Sequence, residues 1–306
     1  MKTVDRPKES TASGTPLGPI IRGIDMPKCN VCHNHCSLEE GRIGLCKARI
    51  CRDGEVVARN YGHITSIALD PIEKKPLNLF YPGSNIISVG SYGCNLRCPF
   101  CQNHEISYDF GQEYPYGYRE MSPKELADIA LEYKDEGNIG VAFTYNEPLM
   151  GYEFVVDAAK EVHERGMKTV LVSNGCVSAE VAQQVIPNID AMNIDLKGFT
   201  DSYYKDVLGG DRQMVMGFIS MAVVTCHLEV TTLVVPGYND TVDEIKELAK
   251  WIASLDDGRG KENVALHISR YFPRFKMDTP ATDVDLLYRL RDAAREELLH
   301  VFTGNC

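Results

Sequence analysis

No apolar run in the 306 residues approaches the length needed to cross a bilayer, and the first residues lack the apolar core of a secretion signal. Positive charge is also scarce: 32 Lys and Arg face 43 Asp and Glu, for a net charge of −11. That balance argues against broad, backbone-driven binding of nucleic acid. A soluble, cytoplasmic protein is expected, and in the cytosol thiols stay reduced, so disulfides are not the expected use of its cysteines. Yet the chain has 11 cysteines, eight of them within residues 29–101. Cysteines gathered this way point to metal or catalysis. Cys176 and Cys226 fit the plainer role of core thiols, and the spacing assigns no role to Cys51 or Cys306.

The densest group is Gly93-Cys94-Asn95-Leu96-Arg97-Cys98-Pro99-Phe100-Cys101, directly after the apolar stretch Asn85–Val89. A four-iron cluster normally takes four thiolates. Three from one loop leave an iron open to bind a ligand, which suits chemistry better than simple electron transfer. The competing reading is zinc, with His104 completing a Cys3His set. All three cysteines crowd one loop after a strand, with Pro99-Phe100 between the last two, and this favours the open cluster. A second group runs Cys29-x2-Cys32-x3-Cys36-x9-Cys46, followed by Cys51. Four thiolates suffice for zinc, with His33 and His35 as alternatives, and a second iron–sulfur cluster fits equally. The spacing does not separate these. Such a short, loop-rich, core-poor region needs a staple of some kind.

The chain divides into three parts. Residues 1–28 read as a flexible tail, 29–84 as a Cys-rich metal-binding region and strap, and 85–306 as the main domain. From residue 85, β-rich runs alternate with amphipathic stretches. The runs are Ile86–Val89, Val141–Thr144, Thr169–Ser173, Met192–Asp195, Leu228–Val234 and Val264–Ser269, mostly one βα unit apart. Between them, Ser122-Pro123-Lys124-Glu125 predicts a capped helix start. Phe154, Val155, Ala158, Ala159 and Val162 make one apolar stripe, and Ile245, Leu248, Ala249 and Ile252 another. The expected fold is α/β, a partial (β/α)6 TIM-like barrel, with Val301-Phe302 as a further edge strand. Glu55–Ala58 reads as a short strand and Asp70–Leu77 as a proline-bounded loop.

Active groups in such barrels sit at the C-terminal ends of strands. Glu147, in Thr144–Pro148, can accept from a ligand ammonium; the same stretch also reads as a helix start with Asn146 as N-cap. Ser173-Asn174-Gly175 lets the backbone approach a ribose or carboxylate, or is an ordinary turn. Asp195 and Lys197 share a strand face, where charges are costly unless paired or used. Ligand contact is preferred over a plain internal ion pair. His267, near the end of the sixth run, reads as a pocket residue rather than a core histidine. Val235–Asp240 reads as a turn feeding a helix.

These stretches resemble the radical S-adenosylmethionine (radical SAM) enzymes, in the branch of glycyl-radical (pyruvate formate-lyase) activating enzymes. Within it, the chain resembles the AmmeMemoRadiSam type. The resemblance is carried by Cys29–Cys46, Asp70–Leu77, Tyr81–Ser84, Gly93–Ser107, Tyr145–Pro148, Val235–Asp240 and Thr303–Cys306. It implies that Cys94, Cys98 and Cys101 hold a 4Fe–4S cluster whose open iron chelates S-adenosylmethionine. Reduction then yields a 5′-deoxyadenosyl radical that takes a hydrogen atom from a substrate. It further implies cofactor contacts from Asn146 and Glu147, on the family's Gly-Gly-Glu segment, although Tyr145 and Asn146 here replace both glycines. Ser173 and Asn174 match the ribose and carboxylate contacts, Asp195 and Lys197 an Asp-x-Lys pair, and His267 a histidine near the adenosyl group. No acid or base is implied. The implied partners are an electron donor such as flavodoxin or ferredoxin, and AMMECR-type and Memo-like proteins. The substrate is left open among a protein, an RNA base and a metabolite. Two alternatives stand beside this reading. One is a glycyl-radical activating enzyme, although the ferredoxin-like C-x2-C-x2-C runs usual in those activating enzymes that carry an extra domain are absent. The other is a non-catalytic zinc or iron–sulfur scaffold.

Overall fold

The computed structural model describes residues 26–306, so most of the expected tail lies outside the described residues. Asp53-Gly54 turns the chain between β1 (Arg49–Arg52) and β2 (Glu55–Ala58), an antiparallel hairpin. Both turn residues have the positive φ such a reversal needs, +51° and +77°. The short β3 (His63–Ile64) pairs with β6 (Arg119–Glu120) farther along the chain. The other strands form one sheet. They are β4 (Ser66–Pro71), β5 (Asn85–Gly90), β7 (Asn138–Phe143), β8 (Lys168–Ser173), β9 (Ala191–Asp195), β10 (His227–Val234), β11 (Ala265–Arg270) and β12 (Val301–Gly304). Their order is β12-β11-β10-β9-β8-β7-β5-β4, with every pairing parallel except β4 with β5.

Each of the six apolar runs is a strand of this sheet, and Val301-Phe302 begins β12 as expected. Asp70-Pro71 ends the antiparallel strand β4 rather than starting a loop. Proline is tolerated at a strand end on a sheet edge, where it removes no ladder donor. The short α1 (His104–Ser107) follows the cysteine loop. α2 (Pro123–Glu132) carries the expected capping box, with Glu125 N donating to Ser122 Oγ at 3.2 Å and Ser122 N to Glu125 Oε2 at 2.7 Å. α3 (Tyr152–Glu164) buries the stripe from Phe154 to Val162. α4 (Ala179–Val185), α5 (Arg212–Ala222) and α6 (Val242–Ser254) repeat the arrangement, α6 burying Ile245, Leu248, Ala249 and Ile252.

The inner side of the sheet has its own small core. Ile72 and Leu77, fully buried, pack against Ile86, Ala142, Val170 and Ala191 near the strand N-termini. The segment after β4 therefore stoppers the lower end of the barrel. Polar groups fix it: Asn193 Nδ2 donates to Pro76 O at 2.7 Å, and Asn78 N and Leu79 N donate to Glu229 at 3.0 and 2.8 Å. Glu229, fully buried, also accepts from His227 Nε2 at 2.9 Å and His267 Nε2 at 2.6 Å. Burial works against its ionisation, but these donors outweigh it and hold its pKa at about 2. Glu229→Ala is expected to destabilise the fold by about 3–5 kcal/mol in urea unfolding, because it orphans both histidines and two backbone donors. The pKa is depressed, so the stabilisation is present above the ordinary glutamate range. In the wild type it should be lost as pH falls from about 5 towards 2, and acid titration of the variant should lack this component.

Candidate active site

With the lower end filled, the open space lies at the C-terminal ends of the strands. A cavity of about 360 Å³ there is lined by Cys94, Cys98, Cys101, Asn146, Glu147, Ser173, Asn174, Asp195 and Lys197, among others. The cysteine loop leaves β5 and is pinned by backbone bonds on every side. Cys94 N donates to Cys46 O at 3.1 Å, Arg97 N to Leu208 O at 2.8 Å, and Lys276 N to Pro99 O at 2.9 Å. Tyr108 Oη donates to Cys98 O at 2.6 Å. Gly93 takes φ +99°, and a Cβ there would stand 2.6 Å from both Cys46 O and Ala48 Cβ, so only glycine fits. Burial pushes the thiol of Cys94 well up and that of Cys98 to about 11. Thiols in such a place shed their protons to a metal rather than to water.

Among the described residues, no three His, Cys, Asp or Glu side chains converge closely enough to hold a single metal ion. Ligands of a four-iron cube bind separate irons and need no common point, so the donor set, its single loop and the adjoining cavity fit a cluster. His104 does not complete a zinc set. It stacks on Phe275, ring centroids 4.0 Å apart, and approaches Asp109 at 3.3 Å.

Glu147 stands just beyond β7, 2% exposed. Its Oε1 accepts from Ser173 Oγ at 2.7 Å and Leu149 N at 3.0 Å, and its Oε2 from Asn174 N at 2.8 Å. Glu147, not Asn146, is the N-cap of the 3-10 turn Pro148–Gly151. Asn146 instead ties the two strand ends together, accepting from Ser91 N at 3.0 Å and donating to Gly93 O at 3.1 Å. Burial dominates and raises the Glu147 pKa to about 7, against the three donors. Asn174 Nδ2 donates to Asn95 Oδ1 at 3.0 Å, and Asn95 Nδ2 to Cys176 O at 2.7 Å, linking this group to the cysteine loop.

Two strands along the sheet, at the end of β9, Lys197 Nζ meets Asp195 Oδ2 at 2.9 Å. Burial lowers the Lys197 pKa, but the Asp195 carboxylate beside it and the nearby groups carry it well above the ordinary lysine value. The ion pair and the cavity position hold together. His267 is different: it does not line the cavity, and its ring turns to Glu229 beneath it and stacks near Phe302, centroids 5.3 Å apart. A buried carboxylate one strand away captures it. The sequence reading also missed Lys74, Lys75, Tyr145, Thr231, Ser269 and Asn305, which all line the cavity. A lysine pair beside the buried Ile72 and Leu77, in a proline-bounded segment, was the available signal.

In the N-terminal group Cys29, Cys32 and Cys46 are buried and Cys36 half-buried. Burial pushes the thiols of Cys32 and Cys46 up, the latter to about 12, and the neighbouring thiols of the group add to both shifts. His33 is not among them. Its Nε2 bonds Gly209 O at 2.8 Å, which leaves Nδ1 to accept from Cys176 Sγ at 3.2 Å. Cys51 stands apart, its Sγ 3.7 Å from Glu40, and Cys306 is exposed. No helix among the described residues is long and apolar enough to cross a membrane.

The chain is also similar to known proteins in sequence and fold. The chain is 39% identical over 281 residues to an uncharacterized protein of Methanocaldococcus jannaschii, covering 91% of this chain and 81% of that one. It is 23% identical to a pyruvate formate-lyase-activating enzyme of Clostridium pasteurianum, over 68% of this chain and 87% of the relative. Among solved structures, a radical SAM methyltransferase from Sphaerobacter thermophilus superposes with a TM-score of 0.55 at 14% identity, covering 73% of this chain and 67% of that one, which speaks to fold. The family model of the radical SAM superfamily matches residues 88–252, from β5 through the cysteine loop to α6. That stretch is more than half of the chain and holds every cavity cysteine together with Glu147, Ser173, Asp195 and Lys197, and on it the chain belongs to the radical SAM superfamily.

Proposed function

We propose that the chain is a radical enzyme in which Cys94, Cys98 and Cys101 hold a 4Fe–4S cluster and the strand-end groups hold S-adenosylmethionine. The observation that carries this is the meeting of three thiols, one buried carboxylate and one Asp–Lys pair around a single cavity. When bound and reduced, cluster and cofactor together supply a 5′-deoxyadenosyl radical for hydrogen-atom abstraction. The chain's own residues position and shield. Among the described residues Glu147 faces no cation at hydrogen-bond distance, and its ionised form suits a ligand ammonium. Ser173 and Asn174 hold that carboxylate in place, and Asp195 with Lys197 closes the wall at the end of β9. His267 is left out of the cofactor set and assigned to the barrel floor. Residues 85–306 form the catalytic partial barrel in this reading, and residues 29–84 a metal-binding region and strap. An external donor of the flavodoxin or ferredoxin kind supplies the electron.

Anaerobic reconstitution, reduction and addition of S-adenosylmethionine should release 5′-deoxyadenosine. If the loaded protein neither binds the cofactor nor releases this product, a metal scaffold is the better description. The likeness to pyruvate formate-lyase-activating enzymes favours one second reading, activation of a glycyl-radical partner. A glycyl doublet in the electron paramagnetic resonance spectrum of a candidate partner would establish it. For the N-terminal group, zinc and a second iron–sulfur cluster are the two candidates; because the described side chains there do not converge on one point, we infer that Cys29, Cys32, Cys36 and Cys46 hold a cluster rather than a single zinc ion. Metal and sulfide analysis of the Cys94/Cys98/Cys101 triple variant should find this cluster still bound. A metal-free triple variant would sink the assignment.

A further inference from the structure

Three features of the cavity wall do no work in the reading above, and they touch one another. The first is Lys75, 2% exposed yet lining the cavity. Its Nζ donates to Asp70 Oδ2 at 2.8 Å and lies 5.1 Å over the ring of Tyr145. An ammonium has three donors, and no second acceptor among the described residues lies within reach of this one. The second is Lys74, largely exposed, 3.3 Å from the other oxygen of Asp70. Two ammonium groups and one carboxylate leave a net positive charge on this wall.

The third feature is Tyr145. Its φ is +73°, in the left-handed region, where a bulky residue is strained by about 1–3 kcal/mol. The strain places its hydroxyl 2.8 Å from Asp70 Oδ2, while its carbonyl accepts from Asn103 Nδ2 at 2.7 Å, two residues past Cys101. Gly90 makes room for the ring, since a Cβ there would stand 2.9 Å from it. Tyr145 thus spans from the cysteine loop to the lysine pair. A fold that only needed a turn here would use glycine at this φ.

We propose that Lys74 and Lys75, held by Asp70 and Tyr145, form the receptor for an anionic group, a carboxylate or a phosphate, on the molecule the enzyme attacks. The proposal rests on reading the cavity as a radical SAM centre. The free donors of Lys75 give directional hydrogen bonds, and the exposed Lys74 adds a second charge from the rim. The anion anchors one end of the substrate beside Tyr145 and leaves the rest of it in the cavity shared with the cysteines.

The test uses the full chain with its cluster reconstituted and S-adenosylmethionine at saturation. Inorganic phosphate and acetate are titrated separately at constant ionic strength, with binding read by calorimetry and by the rise in thermal midpoint. One of the two is expected to bind, and which one binds identifies the class of the anion. Affinity should fall about tenfold or more in Lys75→Met, the worth of one charge-assisted hydrogen bond. The double variant Asp70→Asn/Lys75→Met keeps the buried wall neutral and should show the same loss. The assignment is overturned if neither anion binds, if both variants bind as tightly as wild type, or if an anion bound without S-adenosylmethionine is expelled when the cofactor is added, which would give the lysines to the cofactor. The spectrum of the reduced cluster is recorded with and without S-adenosylmethionine in the same samples. A cofactor-dependent change without anion binding removes the lysine receptor alone, whereas no change removes the radical reading beneath it.

Discussion

Cys98→Ala is expected to leave a folded protein that takes up no iron at the cavity and forms no 5′-deoxyadenosine. The fold should survive because the loop is held through its backbone. The bonds from Arg97 N to Leu208 O, from Tyr108 Oη to Cys98 O and from Lys276 N to Pro99 O do not involve the lost thiol. Activity should not survive, because a cube with only two protein ligands loses its anchorage while the open iron position is already committed to the cofactor. Anaerobic iron and sulfide analysis should fall by about four irons per chain relative to wild type. Circular dichroism of the metal-free proteins should coincide. Cofactor cleavage at the wild-type rate in this variant would refute the cluster assignment outright.

Glu147→Gln should weaken S-adenosylmethionine binding by about a hundredfold or more, since a charge-assisted bond to a buried ammonium is lost. In the wild type the same carboxyl should give the affinity a pH dependence. Its pKa is raised to about 7, chiefly by burial, and only the ionised form attracts an ammonium. Affinity should therefore drop about tenfold per unit as pH falls below 7 and level off above it; the variant should be flat. Stability runs the other way. A carboxyl whose folded pKa is raised resists ionisation, so the cofactor-free fold weakens as pH rises from about 4.5 through 7. The loss amounts to about 3 kcal/mol at pH 8. Glu147→Gln has no such charge to bury, and its cofactor-free form should melt no lower than wild type at pH 8. Calorimetric titrations from pH 6 to 8 check the first expectation and thermal melts the second. Equal pH slopes in the two proteins would show that Glu147 does not meet the ammonium.

How much of this was legible in the sequence depended on the range of each interaction. The strands β5, β7, β8, β9, β10 and β11 and the helices α2, α3 and α6 showed because period, caps and turns are local. Ser122-Pro123-Lys124-Glu125 carries its own start signal, and each half of that capping box lies three residues from the other. The cavity groups were legible for a topological reason: residues closing parallel strands share one end of a barrel, so Glu147 and Ser173 meet although 26 residues part them. The misses are all long-range partnerships. His267 sits on the right strand near the right end, but Glu229, 38 residues earlier, decides where its ring points. Lys75 and Tyr145 are 70 residues apart, and nothing local in Asp70–Leu77 announces that it doubles back as the barrel's stopper. The cap at Glu147 rather than Asn146 was misjudged because Asn146 is drawn to Ser91 and Gly93, over 50 residues away.

One close approach also bears on how the chain can be cut. Cys46 O receives the Cys94 amide, and the absence of a side chain on Gly93 lets the two backbones touch. Nearby, Ser178 N donates to Val31 O at 2.9 Å, and His33 reaches Gly209 O. A fragment beginning after residue 48 would leave those amide donors and the flank of the cysteine loop bare to water. The two cysteine groups are therefore not a catalytic module with a detachable accessory. Backbone contacts join them, and a fragment from residue 49 onward is expected to lose those contacts.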